Sequence, residues 1–95
     1  MRYLKKFESI NYLFSEGDYV RFTNKYLSER EKRFYVKIIT RDTIYQVITC
    51  KNLSLVNHYL LEEIVGSEVG NMSTEEENDL ELVQDYEVDA IKYNL

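Results

Sequence analysis

Apolar and polar positions are patterned most clearly between Phe14 and Ile64, centred on Phe34–Thr49. Two runs there, Phe34-Tyr35-Val36-Lys37-Ile38-Ile39-Thr40 and Thr43-Ile44-Tyr45-Gln46-Val47-Ile48-Thr49, are rich in β-branched and aromatic residues and are separated by Arg41-Asp42. They predict a β-hairpin. Pairing Ile39 with Ile44 sets Ile38 opposite Tyr45, Val36 opposite Val47 and Phe34 opposite Thr49. Cross-strand partners share a face. One face then carries Phe34, Val36, Ile38, Tyr45 and Val47, the expected core. The other carries Tyr35, Lys37, Ile39, Ile44, Gln46 and Ile48. A one-residue slip would exchange the two sets, so burial should lock the register. The turn lacks Asn-Gly, and a four-residue Thr40–Thr43 turn is the alternative.

The flanking segments divide the chain further. Residues 1–13 read as an N-terminal packing segment in which Tyr3, Leu4, Phe7 and Ile10 fit a helix, while Tyr3, Lys5 and Phe7 fit a strand face. Ser15-Glu16-Gly17-Asp18 is a turn signal, and Asp18–Thr23 alternates with Val20 and Phe22 on one side. Asn24–Arg33 is polar and charge-dense, a long loop with a helical turn at Ser28–Lys32 capped by Ser28. Leu53–Val65 fits a helix capped by Asn52 or a strand after a bend, and its strand-rich neighbourhood favours strand. Residues 66–72 hold two of the three glycines and predict a linker. Ser73-Thr74-Glu75-Glu76 has the form of a capping box, which predicts an acidic helix fading by Glu87 and an extended tail beyond it.

Composition sharpens this outline without naming an activity. A chain of 95 residues is one small domain, and 44% hydrophobic with 31% charged residues fits a globular protein. The single Cys50 cannot form an internal disulfide, which favours a reducing, cytoplasmic setting. No apolar run approaches a membrane span, so no membrane partner is expected. Net charge is −5 but uneven. Residues 1–51 carry eleven Lys/Arg against six Asp/Glu (+5), and residues 52–95 carry Lys92 against eleven acids (−10). Such asymmetry suits a basic binding surface with an acidic appendage, and equally two solvated faces.

Candidate chemistry is sparse. His58 and Cys50 are each single, with no third group to complete a nucleophilic set. One Cys and one His do not make a structural zinc site. Glu62 and Glu63 are adjacent, so on a strand they point to opposite faces. No enzyme activity, cofactor or metal is expected. The expected binding residues are Arg21, Lys25, Tyr26, Arg30, Lys32, Arg33, Tyr35 and Lys37, where cations alternate with aromatic rings. Cations neutralise phosphates and rings stack on bases, whereas Tyr and Arg also anchor protein interfaces. Glu29 and Glu31 in the same loop, and the negative net charge, count against a domain built for nucleic acid.

Phe14-Ser15-Glu16-Gly17-Asp18-Tyr19-Val20-Arg21-Phe22 resembles the opening of SH3-like small β-barrels of the KOW and Tudor-like group. In that group a Gly-Asp turn leads into strand one and a central hairpin follows. Leu60-Leu61-Glu62-Glu63-Ile64 resembles the closing strand, so the resemblance covers residues 14–65. The whole chain also resembles a set of small uncharacterised phage proteins, through Met1–Glu8, the Gly-Asp-Tyr-Val strand, the Glu-rich stretch and Lys92-Tyr93-Asn94-Leu95. The fold class expected is mainly β (α+β), a small SH3-like barrel over 14–65 with an acidic C-terminal helix and tail over 73–95. The function implied is a non-enzymatic binding module, a viral accessory protein working through protein contacts. Nucleic-acid binding by Arg21–Lys37 and a structural assembly or connector role are the alternatives. The acidic segment is expected to dock on a partner's basic surface or on the basic loop of its own chain. The absence of Trp argues against Pro-rich ligands.

Overall fold

The computed structural model describes residues 11–31 and 38–93. Five antiparallel strands, β1 (Tyr19–Phe22), β2 (Ile44–Leu53), β3 (Val56–Val65), β4 (Met72–Glu76) and β5 (Leu80–Val83), form one sheet in the order β4-β3-β2-β1-β5. Helix α1 (Asn24–Glu31) follows β1, and helix α2 (Asp85–Tyr93) follows β5. A single 3-10 turn, Glu77–Asp79, joins the two edge strands of this sheet.

That short connection dictates the shape. Five strands laid flat would hold β4 and β5 about 19 Å apart. The chain from Glu76 to Leu80 spans at most about 14 Å when fully extended, so the sheet must curl. Two irregularities in β2, between Ile44 and Tyr45 and between Val47 and Thr49, sit where β2 passes from pairing with β1 to pairing with β3 alone. Bulges bend a strand and raise its local twist. No pairing closes β4 onto β5 among the described residues, so the result is a curled open sheet rather than a closed barrel.

The concave face buries Phe14, Val20, Phe22, Tyr45, Val47, Tyr59, Leu61 and Leu80 in one cluster. Period-two alternation explains most of it: Tyr59, Leu61, Glu63 and Val65 are buried along β3 while their neighbours are half-exposed. Glu62 and Glu63 do point to opposite faces, as expected. A second cluster, Ile44, Val65, Val83 and Val88, takes Tyr19, Ile64 and Ile91 at its margin and seats α2 on the sheet.

Several expectations are corrected. β2 forms its hairpin with β3, and Ile38 and Ile39, expected opposite Tyr45 and Ile44, are not in a strand. Ile44 pairs with Val65, Tyr45 with Glu63, Val47 with Leu61 and Thr49 with Leu60. Tyr45 also pairs with Val20 of β1, so both edges of β2 are occupied there. Phe34–Lys37 lie outside the described residues, and Ile38–Thr40 are not in a strand. The four-residue turn does form: the Thr43 N–H donates to the Thr40 carbonyl at 3.1 Å, and the Thr40 N–H to Thr43 Oγ1 at 3.1 Å. Tyr45 and Val47 belong to the core as expected. Ile44, assigned to the opposite face, is buried as well, because the bulge beside it breaks the alternation.

Leu53–Val65 resolves toward strand. Leu60–Ile64, expected to close a barrel, lies mid-sheet in β3, and the strand that pairs with β1 from the far side is β5. The loop after β1 is a helix whose cap is Thr23 rather than Ser28: the Tyr26 N–H donates to Thr23 Oγ1 at 3.2 Å. No helix starts at Ser73. Met72–Glu76 is extended and pairs with β3 from His58↔Glu76 to Glu62↔Met72. The C-terminal helix begins twelve residues later, at Asp85, and covers what was read as an extended tail. Its capping residue is Gln84, whose N–H donates to Glu87 Oε2 at 3.3 Å while the Glu87 N–H donates back to the Gln84 carbonyl at 2.9 Å. The sheet therefore takes strands from both sides of the 65/66 boundary.

Candidate interaction surface

The expected binding residues do not form one exposed patch among those described. Arg21 projects from β1 on the face opposite Val20 and Phe22, directly across from Glu81 of β5. Its guanidinium reaches Glu81 Oε2 at 3.3 Å and Glu87 Oε1 of α2 at 3.0 Å, leaving the side chain 16% exposed. Arg41 joins from the Thr40–Thr43 turn, 2.9 Å from Glu81 Oε2, and its Nη1 also donates to the Phe22 carbonyl at 3.3 Å. The Arg41 hydrogen bond, then the charges of Arg41 and Arg21, hold the Glu81 carboxyl below its usual value against the effect of burial. The C-terminal acids Glu81 and Glu87 thus fold back on their own chain, onto Arg21 of β1 and Arg41 of the turn before β2.

The remaining expected residues divide. Tyr26 stacks on Phe22 with ring centroids 4.2 Å apart, and so serves the core of the sheet. Lys25 is exposed on α1, and Arg30 is half-buried on the same helix. Glu29 and Lys25 both act on Asp79, whose carboxyl is raised by burial first and then by Glu76 and Glu29. Lys32, Arg33, Tyr35 and Lys37 lie outside the described residues.

A polar node ties the segment before β1 to the concave face. The Tyr59 hydroxyl donates to Glu77 Oε1 at 2.5 Å and accepts from the Leu13 N–H at 3.0 Å and the Phe14 N–H at 3.3 Å. Glu77 Oε1 also accepts from the Leu13 N–H at 3.0 Å and from Asn57 Nδ2 at 3.1 Å. Asn57 Nδ2 donates to the Asn11 carbonyl at 2.8 Å and Asn57 Oδ1 accepts from Asn52 at 2.8 Å. Burial, then the bond to Glu77, pushes the Tyr59 hydroxyl up to about 12. Burial raises the Glu77 carboxyl, but the bonds from Tyr59, Leu13 and Asn57 outweigh it and leave the group below its usual value.

Beyond this node the β2–β3 hairpin continues as a two-stranded ribbon among the described residues. β1 pairs with β2 only at Tyr45 and Gln46, and β4 reaches β3 only as far as His58. The two-residue turn Ser54–Leu55 holds both residues in the left-handed region, φ 52 and 68. They are the only non-glycine residues with positive φ among those described. A tight hairpin requires that geometry at both central positions and normally places Asn-Gly there. Leu55 is nonetheless 95% exposed and Leu53 beside it 46% exposed. Leu13 of the adjoining segment is 69% exposed. Sequence reasoning missed this tip, since Asn52-Leu53-Ser54-Leu55-Val56-Asn57 contains none of the usual turn glycines and Asn52 read as a helix cap.

Comparison with protein-family models finds no match to this chain, and neither the curated proteins nor the solved structures supply one. Among the described residues no group of three or more His, Cys, Asp or Glu side chains is placed to hold a metal ion. No helix among them is long and apolar enough to cross a membrane. Cys50 is half-buried, 3.7 Å from the Phe14 carbonyl, and its thiol is pushed up by burial and then by Glu16 and Asp18. A thiolate nucleophile needs the opposite setting.

Proposed function

We propose that this chain is a small non-enzymatic binding module, an accessory protein of viral type working through protein–protein contacts, and that the β2–β3 hairpin tip is its contact element. The observation that carries the reading is Leu55, a leucine at φ 68 and 95% exposed. A left-handed backbone costs a non-glycine residue about 1–2 kcal/mol, and an exposed leucine gains nothing from burial. Pairing of β2 with β3 answers the backbone cost, but nothing among the described residues offsets the exposure of the side chain. A partner that buries the side chain would. The frame behind the tip is proposed as an SH3-like small barrel. That reading is supported by the Gly17-Asp18 turn leading into β1, by the curl of the sheet, and by the pairing of β1 with the last strand.

The nucleic-acid alternative loses its strand cation, because Arg21 is committed to Glu81 and Glu87. Removing residues 73–95 does not test the acidic segment by itself, because that cut also deletes β5 and most of β4. The better test exchanges the tip alone. The Ser54→Asn, Leu55→Gly variant should be more stable than the parent and should fail to retain proteins that the parent retains from host cytosol. Retention of every one of those proteins by the variant would overturn the reading.

A further inference from the structure

The two ends of the β2–β3 hairpin are complementary. At one end, past the Leu53–Val56 pair, stands the Ser54–Leu55 tip. At the other, beyond the Ile44–Val65 pair, lies an open hollow of about 480 Å³. Among the described residues its apolar lining is Ile38, Val65 and Ile91, and its polar lining includes Asp42 and Ser67. Ser67 Oγ donates to the Ile38 carbonyl at 3.3 Å across it, which joins the loop after β3 to the turn before β2. The strands between the two ends trace a path of about 30 Å, so the tip of one chain is far from its own hollow.

Charge matches as well. Between Thr49 and His58 the hairpin carries Lys51 and His58 and no acid. His58 faces Glu76 across the sheet at 3.9 Å. Lys51 is exposed and has no ion-pair partner among the described residues. The hollow carries Asp42, exposed and without a cation partner among the described residues. An apolar knob flanked by a cation thus stands opposite an apolar hollow flanked by an acid, on one molecule.

From this we infer that the tip docks into the hollow of a second copy of this chain, Leu55 entering against Val65 and Ile91 with Lys51 meeting Asp42. The inference rests on the tip reading above and names the partner. A knob and a hollow at opposite ends give a head-to-tail contact, which propagates as a ring or an open chain rather than stopping at a symmetric dimer. The contact is far smaller than the 1,200–2,000 Å² typical of stable complexes (about 1,600 Å² on average), so it is weak and concentration-dependent.

Sedimentation of the full chain over about a hundredfold range of concentration reads this directly. The mean mass should rise continuously, and Leu55→Asp should hold it at one chain. Lys51→Glu and Asp42→Lys should each weaken association by about fivefold, as expected for an exposed ion pair. The two together should restore it, which a merely structural role would not do. In a Cys50→Ser background, a mixture of Leu55→Cys and Ser67→Cys chains should form the mixed disulfide in preference to either like pair. A single-chain mass at every concentration, or preferential Leu55→Cys self-pairing, overturns the inference. If the mass stays that of one chain while the Ser54→Asn, Leu55→Gly variant still loses a cytosolic partner, self-docking falls and the tip reading stands. If that variant changes neither mass nor retention, both fall.

Discussion

Leu61 and Leu55 lie six residues apart on one hairpin and meet opposite fates. Leu61 is fully buried, paired with Val47 and packed among Tyr45, Tyr59 and Phe22. Leu55 stands in water on a left-handed backbone. Near the first, the polar groups of the Tyr59–Glu77 node find partners. Around the second, the backbone geometry and the side chain both work against local stability. Local and global preferences agree at one end of the hairpin and conflict at the other, and such conflicts concentrate where a surface has a task.

The contrast is broken most severely at its buried end. Leu61→Ala leaves a cavity at the centre of the concave face and should lower unfolding free energy by about 3 kcal/mol in denaturant titration. Loss under 1 kcal/mol would mean that the cluster is loosely packed. Gly66→Ala comes next. A Cβ there runs into the Glu63 carboxylate and comes within 2.9 Å of Thr43 Cγ2. The buried Glu63 already accepts from the Glu68 N–H at 2.8 Å, so it cannot swing aside freely. Overpacking of this kind costs about 1–3 kcal/mol, and an unchanged melting temperature would contradict the packing described.

Glu77→Gln should cost about 1 kcal/mol at neutral pH by weakening the charge-assisted bonds of the node. It should also flatten the acid limb of the stability profile. Because the Glu77 carboxyl is depressed in the folded chain, its contribution is complete above the ordinary carboxylate value of about 4.3. That contribution is lost as pH falls through the lower folded value. Glu81, held down first by Arg41, acts in the same direction. Asp79 is raised and acts oppositely, so acid relieves its penalty. An acid limb equally steep in parent and Glu77→Gln would remove the node from the account. The smallest change has the opposite sign: Ser54→Asn, Leu55→Gly should raise stability by about 1 kcal/mol. A loss of stability would show that the tip is supported from within the chain.

The readable parts of the chain were those where one face is buried and the other is not. Val20 and Phe22 in β1, and Tyr45 and Val47 in β2, were assigned to the core from alternation, and all four are buried. Partner choice was not readable. The pattern of Thr43–Thr49 marks a strand but not its partner, and Tyr45 and Val47 pair with β3, whose alternating run offers Tyr59, Leu61 and Val65 to the same face. The candidate surface was less legible still. Arg21 reads as a free cation until β5 and α2 bring Glu81 and Glu87 against it. Leu55 carries no signal in the sequence, and only the turn at Ser54–Leu55 places it outward.

By itself the sequence determined a small β-rich chain with an alternating concave face, a turn at Gly17-Asp18 and an uneven distribution of charge. These follow from period-two burial and from local backbone preference, which act over a few residues. Only the tertiary structure decided that Met72–Glu76 is a strand rather than a helix, because the exposed edge of β3 outweighs a capping signal. It alone decided that the acids of the C-terminal half neutralise Arg21 and Arg41, since Arg21 and Glu87 are 66 residues apart in sequence and 3.0 Å apart in space. The hairpin tip, too, was settled by distant residues. β1 and β4 stop short of it, and with no third strand over Leu55 among the described residues its exposure follows from where these neighbours end.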